Sequence, residues 1–391
     1  TQCYSASAVC SPSRSALLTG RTPFRNGVYT WIAEGGVAHL RTSEIALPRL
    51  LKGAGYATCH SGKWHLNGLF NHLAQPQPGD HGYDWWMATQ NNAGPSHENP
   101  SNFVRNGQPV GPLQGYSAPL VVGEAITWLK EKRDTSKPFF LAVWTHEPHY
   151  PIKSDPKFKA LYPNLTDDVQ REHHANVTQL DHAFGLLMKS LDEQKLTDST
   201  FVFFTSDNGP WEEFGNHAGK TPFREHKATS FEGGIRSAFT VKYPRELKPG
   251  TVNDRTFGSI DLYPTLAAIA TVALQEKNTD GKNVWPLMRG DEGAQNPHRH
   301  YFISTGWDLE AVMSSDGKWK LHLPHGYRDV IRPGHDGGRG ETQTSMLEES
   351  LFNLIDDPIE QNNLIAKHPD IAKELREAGA DYLKRFPPAA E

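Results

Sequence analysis

Cys10-Ser11-Pro12-Ser13-Arg14-Ser15-Ala16-Leu17-Leu18-Thr19-Gly20-Arg21 opens the first helical pattern of the chain and fixes how the rest is read. Pro12 suits the first turn of a helix, where an absent N–H costs nothing, and Ser11 can cap it. Ala16, Leu17 and Leu18 supply an apolar face. Cys10 then stands at the helix N-terminus, where free N–H groups and the positive end of the dipole favour an anion. Arg14, one turn on, adds a forked fixed charge that fits tetrahedral oxyanions. For an isolated Cys-x-x-x-Arg the plain reading is a buried cysteine beside a surface arginine; the full string argues for an anion site.

Outward from this helix, short β-rich runs alternate with amphipathic helical patterns, the mark of an α/β sheet. Strands are expected at Tyr56–His60, Pro138–Trp144, Thr200–Thr205 and Ala238–Tyr243. Phe201-Val202-Phe203-Phe204 is apolar on both faces, the pattern of a central parallel strand covered by helices. Helices are expected at Ser43–Ala54, Leu120–Arg133, Glu172–Glu193 and Asp261–Ala270. In the third, Val177, Leu180, Phe184, Leu187, Met188 and Leu191 recur at helical spacing as a core stripe. Gln75–Asp80, Asn92–Gly115 and Arg332–Gly340 are rich in Pro and Gly and read as loops.

Past Gly290 the pattern changes. A hairpin is expected over Val312–Leu323, turning at Asp316-Gly317, with a further strand near Glu349–Leu354 and a last helix over Pro369–Arg385. The fold class is therefore α/β: a large mixed, mostly parallel sheet flanked by helices in residues 1–290. A smaller α+β subdomain with a small antiparallel sheet follows in residues 291–391.

The 391 residues suffice for a large core, and 37% hydrophobic with 22% charged content reads as globular. A net charge of −5 carries no basic excess, which argues against nucleic acid, and no apolar run is long enough for a membrane span. Three cysteines, Cys3, Cys10 and Cys59, cannot make a disulfide framework; Cys3 and Cys59 read as small buried side chains.

Four more segments carry reactive side chains just past the carboxyl ends of strands, or near them in the chain, where an α/β sheet puts its ligands. Asp207-Asn208-Gly209 follows Thr200–Thr205 and pairs a carboxylate with an amide oxygen, hard ligands suited to calcium or magnesium. An Asx turn is the alternative. Lys63 and His65 follow Tyr56–His60 two residues apart, so on extended chain both reach one anion. His146-Glu147-Pro148-His149 follows Pro138–Trp144, and a histidine is a natural proton donor near neutral pH. Lys227 opens the string Lys227-Ala228-Thr229-Ser230-Phe231-Glu232-Gly233-Gly234.

The opening string resembles the activation motif of the type I, formylglycine-dependent sulfatases of the alkaline phosphatase superfamily. That resemblance implies an alkaline phosphatase-like sheet, sulfate ester hydrolysis, and a formylglycine-generating enzyme that oxidises Cys10. The formylglycine hydrate would be the nucleophile. It implies a calcium ion, with magnesium as the alternative, held by Asp207, Asn208 and the oxidised Cys10. Two aspartates from a preceding strand would complete the set; Thr1–Val9 reads as domain interior, so that strand is expected to lie ahead of this sequence or to be lost.

The same resemblance gives Arg14 to the nucleophile's surroundings, Lys63 to the sulfate, and His65 the part of base in releasing sulfate. His146, first of a His-x-Pro string, would touch the sulfate and protonate the departing alcohol, with His149 facing the substrate beyond. Lys227 would bridge the sulfate and the leaving oxygen, its register fixed by Glu232-Gly233-Gly234, although Ala228 stands where the family usually has glycine. Lys220 is then a surface residue or a substrate contact. Leu351–Leu364 is similar to the family's C-terminal subdomain.

The segments are most similar to the arylsulfatase A and N-acetylgalactosamine-6-sulfatase branch, which implies a galactose- or N-acetylgalactosamine-type sulfate on a carbohydrate. His322, His325, Tyr327 and Arg328, in a polar loop over His322–Gly340, are placed to read sugar hydroxyls or neighbouring sulfates. Two rivals stand beside this reading: a phosphomonoester or phosphodiester hydrolase of the same superfamily, and a non-catalytic carbohydrate-binding descendant. The resemblance and the few cysteines point to a bacterial periplasmic or secreted protein. A lysosomal one is the alternative, for which Asn164-Leu165-Thr166 would be a glycosylation sequon.

Overall fold

A computed structural model describes residues 2–211, 221–274, 279–334 and 340–387. Lys220 lies outside the described residues. The central strand is Ala57–Lys63, buried at all seven positions because its side chains are mostly small and helices cover both faces. It lies between Trp85–Thr89 and Phe139–Trp144, parallel to both. Two short antiparallel strands, Val104–Arg105 and Gln108–Pro109, extend the sheet beyond Trp85–Thr89. They lie inside a segment expected to be loop.

Alternate residues of Phe139–Trp144 go to opposite faces. Phe139, Leu141 and Val143 join Val122, Leu129 and Leu187 from the helices Ser117–Thr127 and Asp168–Glu193 and the turn after the first. Phe140, Ala142 and Trp144 join Leu18, Leu51 and Tyr263 from the helices Cys10–Thr19, Leu47–Gly53 and Leu262–Ile269. Each fully buried large side chain in these layers contributes roughly 1.5–3 kcal/mol. Along Asp168–Glu193 the stripe holds at Leu187 and Leu191, but Val177 is 42% exposed. Cys3, Cys10 and Cys59 are all free and buried.

One strand departs from expectation. Val202–Thr205 pairs antiparallel with Phe239–Lys242 and with no parallel strand among the described residues; Phe204 is 41% exposed. An apolar run on both faces fixes depth, not direction, and this one is half-covered. Gln2–Tyr4 is a buried strand between Thr256–Gly258, to which it is parallel, and Arg236–Ser237, to which it is antiparallel. It feeds directly into the helix that starts at Cys10.

The C-terminal portion is a four-stranded antiparallel sheet in the order His300–Ser304, Leu309–Ser314, Trp319–His322 and Ser350–Asn353, covered by the helix Pro369–Arg385. Its hairpin turns through Gly317 at φ 70°, where glycine meets no Cβ penalty. His325–Arg332, expected to be loop, is a strand paired with Glu341–Leu347. Tyr4 and Ile235 share one apolar cluster with Tyr301 and Met313, so this sheet is built onto the strand that leads to Cys10.

Candidate active site

Cys10 is the first residue of its helix and Val9 takes the cap position without a side-chain bond. Ser11, expected to cap, sits inside the first turn and its Oγ accepts the backbone N–H of Ile32 at 3.1 Å. The Cys10 Sγ lies 3.0 Å from Lys227 Nζ. Burial pushes this thiol up, yet the charges of Lys227 and Lys63, aided by Arg14 and opposed by Asp207, bring it below the ordinary cysteine range.

Arg14 ties three elements together. Its Nε and Nη2 donate to Asp207 Oδ2 at 2.9 and 2.7 Å, its Nη1 donates to the Lys63 carbonyl at 3.1 Å, and its guanidinium lies 4.9 Å from the Trp144 ring centre. Three strand ends therefore meet on one arginine. Burial favours a protonated Asp207, but Arg14, Lys63 and Lys227 hold its carboxyl well below the usual range. Lys63 is buried and its ammonium is brought down to about 8, chiefly by desolvation and then by Arg14 and Lys227 against Cys10 and Asp207.

The histidines separate by tautomer. His65 Nε2 lies 3.0 Å from the Ile32 carbonyl, which only accepts, so Nε2 carries the hydrogen and the buried, unpartnered Nδ1 keeps its lone pair. Its backbone sits at φ 58°, uncommon for a residue with a side chain and typical of functional sites. Burial, then Lys63, Arg14 and Lys227, hold its ring well below the ordinary histidine range. His146 is buried as well. The Thr89 hydroxyl donates to Asn91 O, so His146 Nε2–H donates to Thr89 Oγ1 at 2.8 Å and its Nδ1 has no partner.

His149 differs from both. It is half-buried, its Nδ1–H donates to the Tyr150 carbonyl at 2.6 Å, and its ring meets Trp211 edge-on at 6.4 Å. Desolvation, then the charges of Lys227 and Lys63, hold its ring well below the ordinary histidine range.

Lys227 stands on a loop pinned at two points: its own N–H donates to Pro210 O at 2.7 Å and that of Ala228 to Ala8 O at 3.0 Å. The Trp211 ring covers its ammonium at 4.7 Å. Ala228 has φ 69°, the left-handed region that explains why glycine suits this position. Gly209 donates to the Gly234 carbonyl at 2.8 Å, and a Cβ built on Gly209 would overlap the Gly233 oxygen. The glycines of the two strings let those loops touch backbone to backbone.

The expected substrate contacts are placed differently. His325 is buried, its Nδ1–H on Leu323 O at 2.7 Å and its Nε2 3.2 Å from Ser230 Oγ, so it is part of an internal network and not of an open rim. Arg328 lies on the paired strand His325–Arg332 opposite Thr344. Trp211 and Trp144, which cover Lys227 and Arg14, escaped the sequence reading; Trp211 stands four residues after Asp207, and that spacing was the available signal.

A cation would find hard oxygens here. Asn208 Oδ1 is buried without a partner, beside the Asp207 carboxylate. No group of three His, Cys, Asp or Glu ligands occurs among the described residues. Asp207 and Asn208 thus offer hard oxygens that fit part of a divalent coordination sphere.

A buried cysteine, three cations and a carboxylate–amide pair are thus drawn together where these strand ends meet. The family model described as Sulfatase matches residues 1–272. The chain belongs to the sulfatase family. It is 32% identical over 350 residues to N-acetylgalactosamine-6-sulfatase from Canis lupus familiaris, covering 82% of this chain and 63% of that protein. To arylsulfatase A from Bos taurus it is 30% identical over 422 residues, covering 97% of this chain and 78% of the relative. The chain thus spans under two thirds of the length of the first of these relatives.

Among solved structures, Ps i-CgsB in complex with k-i-k-neocarrahexaose superposes with TM-score 0.82 at 22% identity over 97% of this chain and 83% of that one. PsFucS1 sulfatase from Pseudoalteromonas sp. gives 0.81 at 20%, over 100% and 83%. Both share the fold, which makes the architecture alkaline phosphatase-like α/β. Membership in the family implies a formylglycine and a divalent metal. No described helix is long and apolar enough to cross a membrane.

Proposed function

We propose that this protein hydrolyses sulfate esters of a carbohydrate, with a galactose- or N-acetylgalactosamine-type sulfate as substrate and Cys10 converted to formylglycine by a formylglycine-generating enzyme. The observation that carries the proposal is the surplus of positive charge buried around residue 10: among the described residues, Lys63, Lys227 and Arg14 act on one carboxylate, Asp207. Such a surplus is costly unless an anion completes it. The relatives named for N-acetylgalactosamine-6-sulfate and aryl sulfates support this choice of ester.

When present, the formylglycine supplies a hydrated aldehyde as nucleophile, and a divalent ion on Asp207 and Asn208, calcium by preference, would withdraw charge from the sulfuryl oxygens. Lys63 and Lys227 hold those oxygens. Arg14 keeps Asp207 ionised and aims it. The bare Nδ1 of His65 takes the proton whose loss releases sulfate.

Protonation of the departing alcohol is assigned to His149 in place of His146, its Nε2 taking up a proton once the bound sulfate offsets the Lys227 and Lys63 charges that depress the ring in the free enzyme. The Nε2–H of His146 is committed to Thr89 deep in the protein, whereas His149 is half-buried against Trp211, the ring that also covers Lys227. A periplasmic or secreted bacterial setting goes with this reading.

Mass spectrometry of the Cys10 peptide and sulfate release from a panel of sulfated oligosaccharides test it together. Formylglycine with release from galactose- or N-acetylgalactosamine-type sulfates is expected. An unmodified thiol in protein that still liberates sulfate would sink the mechanism, and turnover of aryl sulfates alone would sink the carbohydrate assignment.

A further inference from the structure

Lys227 reaches Cys10 from a loop, and what grips that loop comes from the opposite end of the chain. Glu360, in the segment after Ser350–Asn353, is wholly buried and its backbone is left-handed at φ 51°. Every acceptor it has is engaged. Its Oε2 accepts the backbone N–H of Glu232 at 2.7 Å, and its carbonyl oxygen accepts Arg224 Nη1 at 2.8 Å. Its Oε1 takes Lys320 Nζ at 2.9 Å and His322 Nε2 at 2.8 Å.

Lys320 is also wholly buried and shares its ammonium with Glu232 at 3.1 Å. Glu232 accepts the Tyr4 hydroxyl at 2.9 Å, on the strand that runs into Cys10. Arg224 and Glu232 lie three residues before and five after Lys227. Glu360 thus clamps both ends of the lysine loop, with Lys320 of the C-terminal sheet joining it at Glu232, while Pro210 and Ala8 pin the middle.

We infer that Glu360, supported by Lys320, is a positioning residue for Lys227: it sets where the lysine ammonium stands over residue 10 while touching neither substrate nor nucleophile. The inference rests on reading Lys227 as a sulfate-binding catalytic residue. A merely structural ion cluster would act on stability alone, since such clusters can be exchanged for apolar side chains without loss of fold.

Steady-state kinetics on 4-nitrophenyl sulfate with Glu360→Gln, Lys227→Ala and the double variant separate the two. Leu375→Ala, a core truncation in the helix Pro369–Arg385, is the stability control. We expect Glu360→Gln to lower kcat about ten- to a hundredfold with KM changed less than threefold, and the double variant to be no worse than Lys227→Ala, because coupled residues are not additive. Leu375→Ala should lower the melting temperature and keep kcat.

Should Glu360→Gln not fold, Glu360→Asp, which keeps the charge and withdraws the oxygens, carries the same expectation at smaller size. Retained kcat in the Glu360 variants, or losses that multiply in the double variant, overturn the positioning role while Lys227 keeps its own. Retained kcat in Lys227→Ala overturns the reading of the lysine and the inference with it.

Discussion

Two clusters of buried charge share one loop, at Lys227 and at Glu232 five residues on, and they are built on opposite rules. Among the described residues around Cys10, Lys63, Lys227 and Arg14 outnumber Asp207, and Asn208 Oδ1, His65 Nδ1 and His146 Nδ1 have no partners. Around Lys320, two carboxylates face Lys320 and Arg236, with Tyr4, His322 and a backbone N–H taking the remaining oxygens. Both regions are desolvated. The first is unbalanced and unsatisfied, as a site that waits for an anion must be; the second is balanced and satisfied, as a joint must be. Local charge balance, more than burial, separates binding from bracing here.

The sharpest way to break this comparison is to remove one lysine from each. Lys63→Met should lower kcat/KM on a sulfate ester by about 10²–10³, the usual loss for one oxyanion-stabilising donor. It should also leave thermal stability unchanged or raised, because a surplus desolvated cation is gone. Lys320→Met should do the reverse to stability, lowering it by about 3–5 kcal/mol in urea melts, since two buried carboxylates lose their shared partner. If both variants lose stability equally, the contrast between the clusters falls.

His149→Ala comes next. On a sugar sulfate we expect about a hundredfold loss in kcat, the usual worth of a general acid, and little change on 4-nitrophenyl sulfate, whose leaving group needs no proton. Equal losses on the two substrates would return the role to another residue.

A third effect follows from Lys63. Its ammonium, ordinarily near 10.5, titrates near 8 in the fold, so kcat/KM of the free enzyme should fall about tenfold per pH unit above 8 as the cation is lost. The sign on stability is opposite: between pH 8 and 10.5 the unfolded chain binds the extra proton, so the contribution of Lys63 to stability rises with pH. A flat profile through pH 9 would show that Lys63 does not hold the substrate.

The smallest effect concerns Ala228. Glycine there relieves a left-handed backbone and should add about 1 kcal/mol, read from the midpoint of denaturant unfolding, with activity unchanged.

The unbalanced cluster was legible in the sequence because each member sits in a short string whose spacing carries the chemistry. Cys10 with Arg14, Lys63 with His65, and Asp207 with Asn208 are all local signals. The balanced cluster was not legible. Glu232 pairs with Lys320 and Glu360 across separations of 88 and 128 residues, and nothing local in either partner announces the other. His325 misled for the same reason: its strand looks polar, and its burial depends on Ser230 and Glu310 arriving from elsewhere. Val202–Thr205 was placed correctly but expected to be parallel, whereas its partner among the described residues, Phe239–Lys242, is antiparallel; hydrophobicity is blind to strand polarity. His146 and His149 share one His-x-Pro grammar, and only their ring partners tell them apart.

The contact of Gly209 with Gly233 carries a lesson for anyone reshaping this protein. With no space for even a methyl group between the two backbones, the loop bearing Asp207 and the loop bearing Lys227 behave as one rigid casting. Grafting either from a homologue on its own should fail, whereas exchanging both together leaves the seam intact.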